Sequence, residues 1–205
     1  MKLHTSNRAP NPRRVRWVMA EKNVQDVELV EVDIMVGDHR KPAYRDRVGV
    51  PHVPALELDD GTMVSESIAI CRYLEALYPE PNLFGVDARE QAVIEMWTRR
   101  CEFYLANPLM LSVRHSHPAL AALEATQVPQ VADYNRVSAE RFMKTLDHHL
   151  ATHEFIADRF TIADIVAVVG LDFARLVKYR PPTEFEHLAR WLETCRTREA
   201  AKAGA

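Results

Sequence analysis

The sequence predicts two structural units in tandem: an α/β block over residues 1–80, then an all-helical block over residues 86–205. Three observations carry that prediction. Period-two alternation is confined to the first third of the chain, and helical periodicity alone continues past Gly85. Between the two lies Pro79-Glu80-Pro81-Asn82, a connection rich in residues that end regular structure.

Taken in order, residues 2–5 read as a short strand. The polar run of residues 6–12 then leads into a helix on which Val15, Val18 and Met19 share one face. Alternation returns in Val27-Glu28-Leu29-Val30-Glu31-Val32. Two short extended stretches, 55–58 and 63–64, flank Asp59-Asp60-Gly61 and form a hairpin. A helix over residues 66–78 sets Ile68, Cys71, Leu74 and Leu77 in one apolar stripe, and Pro79 stops it. The second block is predicted as helices over 87–106, 131–150, 162–177 and 184–195.

Composition narrows the function classes. A chain of 205 residues, 47% apolar and 27% charged, buries a sizeable core without disulfides or metals and belongs with ordinary globular proteins. A formal net charge of -3 lacks the basic excess of a nucleic-acid binder. Cys71, Cys101 and Cys195 are odd in number, widely spaced and without a CxxC pair, which points to reduced thiols and a cytoplasmic location. The start Met1-Lys2-Leu3-His4-Thr5-Ser6 turns polar before an apolar segment develops, so neither export nor a membrane helix is expected.

Several short segments carry possible chemistry, each with a plain structural alternative. In Ala9-Pro10-Asn11-Pro12, Asn11 suits a helix N-cap with Pro12 in the first helical position. The same helix start directs free N–H groups and positive dipole at its loop, which favours an anion such as a thiolate. Val53-Pro54 is either an ordinary trans loop or a cis turn that offers the Val53 backbone to an extended peptide. At the next helix start, Ser67 and neighbouring N–H groups suit a carboxylate while Glu66 suits an ammonium; a capping serine beside an acid is equally good local structure. Arg8, Arg13, Arg14 and Arg16 form a basic cluster read as a solvated helix face. His148, His149 and His153 have no acidic or thiol companion at metal spacing, so they read as surface histidines rather than a zinc site.

The order of these motifs resembles the soluble, cytosolic glutathione S-transferases. It runs Ala9-Pro10-Asn11 before Arg14-Val15-Arg16, Val53-Pro54-Ala55-Leu56, Ser65-Glu66-Ser67-Ile68-Ala69, then Tyr73-Leu74. In the second half, the stretch from Phe155 through Thr161-Ile162-Ala163-Asp164 is similar to that family's helix-capping segment, with Thr161 and Asp164 placed as a capping box.

The resemblance implies a thioredoxin-like N-terminal domain that holds glutathione and an all-α C-terminal helical-bundle domain that shapes the electrophile pocket. It also implies a homodimer, a role in detoxification, glutathione as co-substrate and no metal. Val53 and Pro54 are implied to meet the cysteinyl part, Glu66 and Ser67 the γ-glutamyl end, His52 the neighbouring position, and Arg40 or Lys41 the glycyl carboxylate. Arg100 and Tyr104 are implied to border the second substrate.

One departure bears on mechanism. The position that in the family bears a catalytic Ser, Cys or Thr is Ala9, and the first strand has no Tyr. The chain thus resembles the atypical yeast-type and Nu-like members, with Asn11 and Ser6 as candidate thiol activators beside the helix N-terminus. The expected reaction is conjugation of the glutathione thiolate to a small electrophile. The alternatives are a glutathione-dependent disulfide or peroxide reductase of Nu-like type, and a non-catalytic binding or scaffold protein of the same fold.

Overall fold

The computed structural model describes residues 1–204. It divides into two compact units, Met1–Asn82 together with the C-terminal stretch from Ala200, and Leu83–Glu199. The C-terminal stretch thus groups with the α/β block and not with the helical block, whose expected range of 86–205 includes it. Arg13 explains part of this, since its guanidinium donates to the Ala201 carbonyl at 3.1 Å.

The first unit is a four-stranded mixed sheet with helices. Its strands are β1 (Lys2–Thr5), β2 (Glu28–Glu31), β3 (Ala55–Glu57) and β4 (Met63–Ser65), in the order β2-β1-β3-β4. β1 and β2 run parallel, so the chain must cross over between them, and helix α1 (Pro10–Glu21) is that crossover. β3 is antiparallel to both β1 and β4, which gives the hairpin expected around Gly61. This is the thioredoxin-like arrangement, and α1 packs against α3 (Ser67–Leu77).

The packing follows the apolar spacing. Val15 and Val18 of α1 and Ile70, Cys71 and Leu74 of α3 are fully buried. Each large aliphatic side chain so buried contributes about 1.5–3 kcal/mol. Burial also pushes the Cys71 thiol up to about 12, so it stays a neutral, apolar group. At the far end of α1, the buried ammonium of Lys22 pairs with Glu75 at 2.7 Å and donates to the carbonyls of Tyr78 and Pro81. That fixes the end of α3 to the connection that follows it.

A helix absent from the sequence-predicted elements is α2 (Pro42–Val48). With seven residues and none buried, it leaves no apolar period to detect. Tyr44 and Arg47 tether it instead: the Tyr44 ring meets His4 of β1 edge-on, and Arg47 pairs with Glu57 of β3.

The second unit is all helix: α4 (Ala88–Cys101), a π-helical turn (Glu102–Ala106), α5 (Asn107–Arg114), α6 (Pro129–Leu150), α7 (Ile162–Ala174) and α8 (Glu186–Arg196). The first of these runs past the predicted end at residue 106. Pro108 breaks the periodic reading, but the π turn just before it shifts the hydrogen-bond register, so the helix passes a residue that has no N–H. α7 is the hub of the unit; every residue from Ile162 to Leu171 is buried. Among the described residues no helix is long and apolar enough to cross a membrane.

Gly170 shows how close this packing is. A Cβ at that position would lie 2.8 Å from Ala106 Cα and 2.9 Å from Ala106 Cβ in the π turn. Gly170→Ala is therefore expected to destabilise the protein by about 1–3 kcal/mol through overpacking, although alanine is the better helix former by up to about 1 kcal/mol. Urea denaturation checks this, and a variant as stable as the parent means that close approach is not what glycine provides.

Candidate active site

The sheet register gathers the candidate residues at one end of the sheet. His4 pairs with Ala55, and Ala55 pairs with Ser65. Because both pairings are antiparallel, the residues just after β1, just before β3 and just after β4 lie side by side. Thr5 and Ser6, Val53 and Pro54, and Glu66 and Ser67 are thus brought together, at strand spacings of roughly 4.8 Å. The helices that follow β1 and β4 both begin there, so α1 and α3 direct two N-termini at the same edge. The Val53-Pro54 peptide is cis, and no backbone hydrogen bond engages Val53 among the described residues.

The start of α1 differs from the sequence reading. Its N-cap is Ala9, in extended conformation, and Pro10 takes the first helical position; Asn11 is the second helical residue and not the cap. Proline suits that first position because its missing N–H would have no helical partner there. Pro10 and Pro12 have no N–H, so Asn11 supplies the one backbone donor of those three residues. Three buried polar atoms near this turn have no hydrogen-bond partner: Thr5 Oγ1, Ser6 Oγ and Asn11 Oδ1. Two of them belong to the candidate activators, Ser6 and Asn11. An unsatisfied buried polar atom costs about 1–3 kcal/mol, so this turn carries a local cost in stability.

At the α3 end, Glu66 is the N-cap residue with φ 69° and ψ 119°, a region that residues with a Cβ rarely occupy. Backbone in such a region carries about 1–3 kcal/mol of strain and persists where surrounding structure imposes it. Here it turns the exposed Glu66 away from β4 while burying the next residue, Ser67. The Ser67 hydroxyl accepts a hydrogen bond from Arg14 Nη1 at 3.3 Å.

Arg14 is a buried neighbour of this edge that the sequence alone does not single out. The reading of the arginine cluster as a solvated face fails at this position, since Arg14 is 1% exposed and sits on the α1 face that meets α3. Its place beside Val15 and Val18 in the helical stripe is the signal that was available. The other cluster members behave differently. Arg8 is exposed, Arg13 lies over the Trp17 ring as well as bonding Ala201, and Arg16 pairs with Asn7.

The segment before Val53 carries the remaining candidates. His52 is exposed, and its carbonyl accepts a 2.7 Å hydrogen bond from Tyr44 Oη. Burial pushes the Tyr44 phenol up to about 12, so it remains a donor. Arg40 closes a single turn of 3-10 helix and Lys41 is the N-cap of α2, both exposed. Lys41 is engaged with Asp38 at 2.6 Å, a bond that holds the Asp38 carboxyl below its ordinary range.

In the second unit Arg100 and Tyr104 are both exposed; Arg100 covers the Trp97 ring at 4.9 Å and Tyr104 leans on Phe142. The histidines read as surface groups divide. His148 is exposed, whereas His149 stacks between Trp97 and His153, and burial lowers its pKa. The unit also holds a cavity of about 860 Å³ lined by Ser112, His115, Arg136, Glu140 and Tyr179 among others; neither Arg100 nor Tyr104 lines it.

Residues 3–82 match the family model for the glutathione S-transferase N-terminal domain, and residues 106–199 that for the C-terminal domain. The chain is 35% identical to glutathione S-transferase 2 of Saccharomyces cerevisiae, over 98% of this chain and 88% of that protein. Among solved structures it is similar to Gtt2 from Saccharomyces cerevisiae, with a TM-score of 0.94, 34% identity and full coverage of both chains. A glutathione S-transferase domain-containing protein from Marinobacter aquaeolei superposes with a TM-score of 0.93 at 38% identity, covering 98% of this chain and 99% of that one.

Proposed function

The chain belongs to the glutathione S-transferase family and is an enzyme of that class, and on this premise we propose that it joins the glutathione thiolate to a small electrophile. The observation that carries the reading is the convergence of Val53, Glu66 and Ser67 with two helix N-termini at one sheet edge. An extended tripeptide laid on that edge finds main-chain partners at Val53, a carboxylate receptor at Ser67 and an ammonium partner at Glu66. His52 lies alongside, and Arg40 and Lys41 supply positive charge for the glycyl end. Arg100 and Tyr104, exposed in the helical unit near Phe103 and Met96, are assigned to the second substrate. The three cysteines are buried and none is joined in a disulfide among the described residues, which suits a reducing cytoplasm, where a homodimer engaged in detoxification would work.

The catalytic task is to ionise the thiol without a Ser, Cys or Tyr at position 9. A thiol with an ordinary pKa of about 8.5 must drop by about 2 to be ionised at neutral pH, equivalent to about 2.7 kcal/mol. One charge-assisted hydrogen bond of about 1.5–3 kcal/mol and a helix-dipole contribution of about 0.3–1 kcal/mol reach that size. We assign them to Asn11, with its lone first-turn N–H and its side chain, and to the α1 N-terminus; the Ser6 hydroxyl, buried and unbonded, is the second donor. With the thiolate held next to a bound electrophile, proximity supplies much of the remaining acceleration.

Calorimetric titration with glutathione tests the binding half, and absence of heat at millimolar ligand would refute it. Aryl halides, epoxides, enals and mixed disulfides then test the chemistry, with turnover of the disulfides alone favouring a reductase. For the activator, Asn11→Ala is expected to raise the pKa of the bound thiol by about 1, a loss of roughly 1.4 kcal/mol. The ultraviolet absorbance of the thiolate against pH measures this, and an unchanged value removes Asn11 from the mechanism.

A further inference from the structure

We propose that Arg14 is a positioning residue that makes Ser67 a receptor for an anion, and so sets which amino-acid end the enzyme accepts; this rests on the glutathione-binding role given to Ser67 above. The guanidinium is buried, permanently charged, and donates through Nη1 to Ser67 Oγ at 3.3 Å. Arginine has donors only, so Ser67 Oγ is the acceptor in that bond. The single Ser67 O–H is left to donate outward, toward the sheet edge.

The chemistry favours a carboxylate over any neutral group. Ser67 opens α3, an eleven-residue helix, so the free N–H groups and the positive dipole end act at the same point as its hydroxyl. Behind them stands a cation that water cannot screen. A neutral ligand group gains one hydrogen bond there; an anion gains in addition the field of the guanidinium. The expected consequence is discrimination by charge at the amino-acid end of the ligand, with the rest of the tripeptide bound independently of Arg14.

Two analogues isolate that consequence. γ-Aminobutyryl-cysteinyl-glycine lacks only the α-carboxylate of glutathione, and glutaryl-cysteinyl-glycine lacks only its amine. Calorimetry on the full chain is expected to show glutathione preferred to the first analogue by about 10-fold or more, the range of a hydrogen bond to a charged group. In Arg14→Met that preference should fall to about threefold, while the preference over the glutaryl analogue stays as in the parent. Adding Ser67→Ala to Arg14→Met should cost clearly less than Ser67→Ala costs in the parent, because the two residues are coupled. Should Arg14→Met not fold, Arg14→Lys serves, since its shorter ammonium does not reproduce the guanidinium bond; the same preference should then drop by at least about threefold.

A preference unchanged in a folded Arg14 variant, losses that multiply in the double variant, or equal falls for both analogues would overturn the assignment of Arg14. Failure of the parent protein to bind glutathione at all would instead overturn the functional reading on which it rests.

Discussion

Replacing Asp164 by alanine is expected to remove about 3–5 kcal/mol of stability, a large part of what a protein of this size has. Asp164 is fully buried at the start of α7, and its carboxylate accepts from Ile156 N at 3.0 Å, Thr161 N at 2.9 Å, Thr161 Oγ1 at 3.3 Å and Trp191 Nε1 at 2.8 Å. Together with Thr161 it forms the capping box read in the sequence, and it also anchors the indole of α8. Alanine would strand three buried N–H groups at once, each worth about 1–3 kcal/mol. Thr161→Ala, which loses mainly the cap, should cost about 1 kcal/mol. Chemical denaturation separates the two, and equal losses would mean that the cap alone matters.

The same residue gives a signed pH dependence. Full burial favours the neutral acid and the donated hydrogen bonds favour the carboxylate; burial is the larger, and the Asp164 carboxyl is pushed up to about 6. Between the ordinary carboxylate pKa and about 6 the folded state therefore holds more protons than the unfolded one. Stability from this group is present at low pH and declines as pH rises through that interval. The stability of the parent relative to Asp164→Asn should accordingly shrink from about pH 4 to pH 6 and level off above it. A difference that widens over the same range would show that the donors win.

The second large effect falls on ligand binding. Ser67→Ala is expected to weaken glutathione binding by about 10- to 100-fold, the equivalent of one charge-assisted hydrogen bond to the carboxylate. Fold stability should fall by no more than about 1–3 kcal/mol: the Arg14 Nη1 donor loses its Ser67 acceptor, while alanine is the better helix former and Ser67 provides no side-chain cap to α3. The thiol pKa of whatever glutathione still binds should also stay put, since Asn11 and the α1 N-terminus lie on a different helix. A titration with glutathione at several pH values reads both quantities. Unaltered affinity would remove Ser67 from the site.

Much of this molecule was legible in the order of its residues. Alternation around Leu29 and around Leu56, helical stripes through Val15 and Leu74, and the Thr161-Asp164 pair are local patterns, and each became the element that its period implied. The errors were local as well. Ala9 and not Asn11 is the cap, because the sequence offers two prolines and only geometry selects Pro10 for the first helical position. The helix expected to stop at residue 106 runs to Arg114, because a π turn absorbs the proline that ordinarily ends a helix. Residues 42–48 showed no helix because none of them is buried.

Sequence alone therefore determined the two-unit architecture and the motifs Val53-Pro54 and Glu66-Ser67, since periodicity and turn chemistry act over a few neighbouring residues. Only the tertiary structure decided that Arg14 lies beneath Ser67 and not in solvent, that Asp164 serves α8 as well as its own helix, and that Thr5, Ser6 and Asn11 hold unsatisfied atoms beside one turn. Burial and hydrogen bonding join residues 53 positions apart, as in Arg14 and Ser67, and the energy of a charge depends on what surrounds it in space.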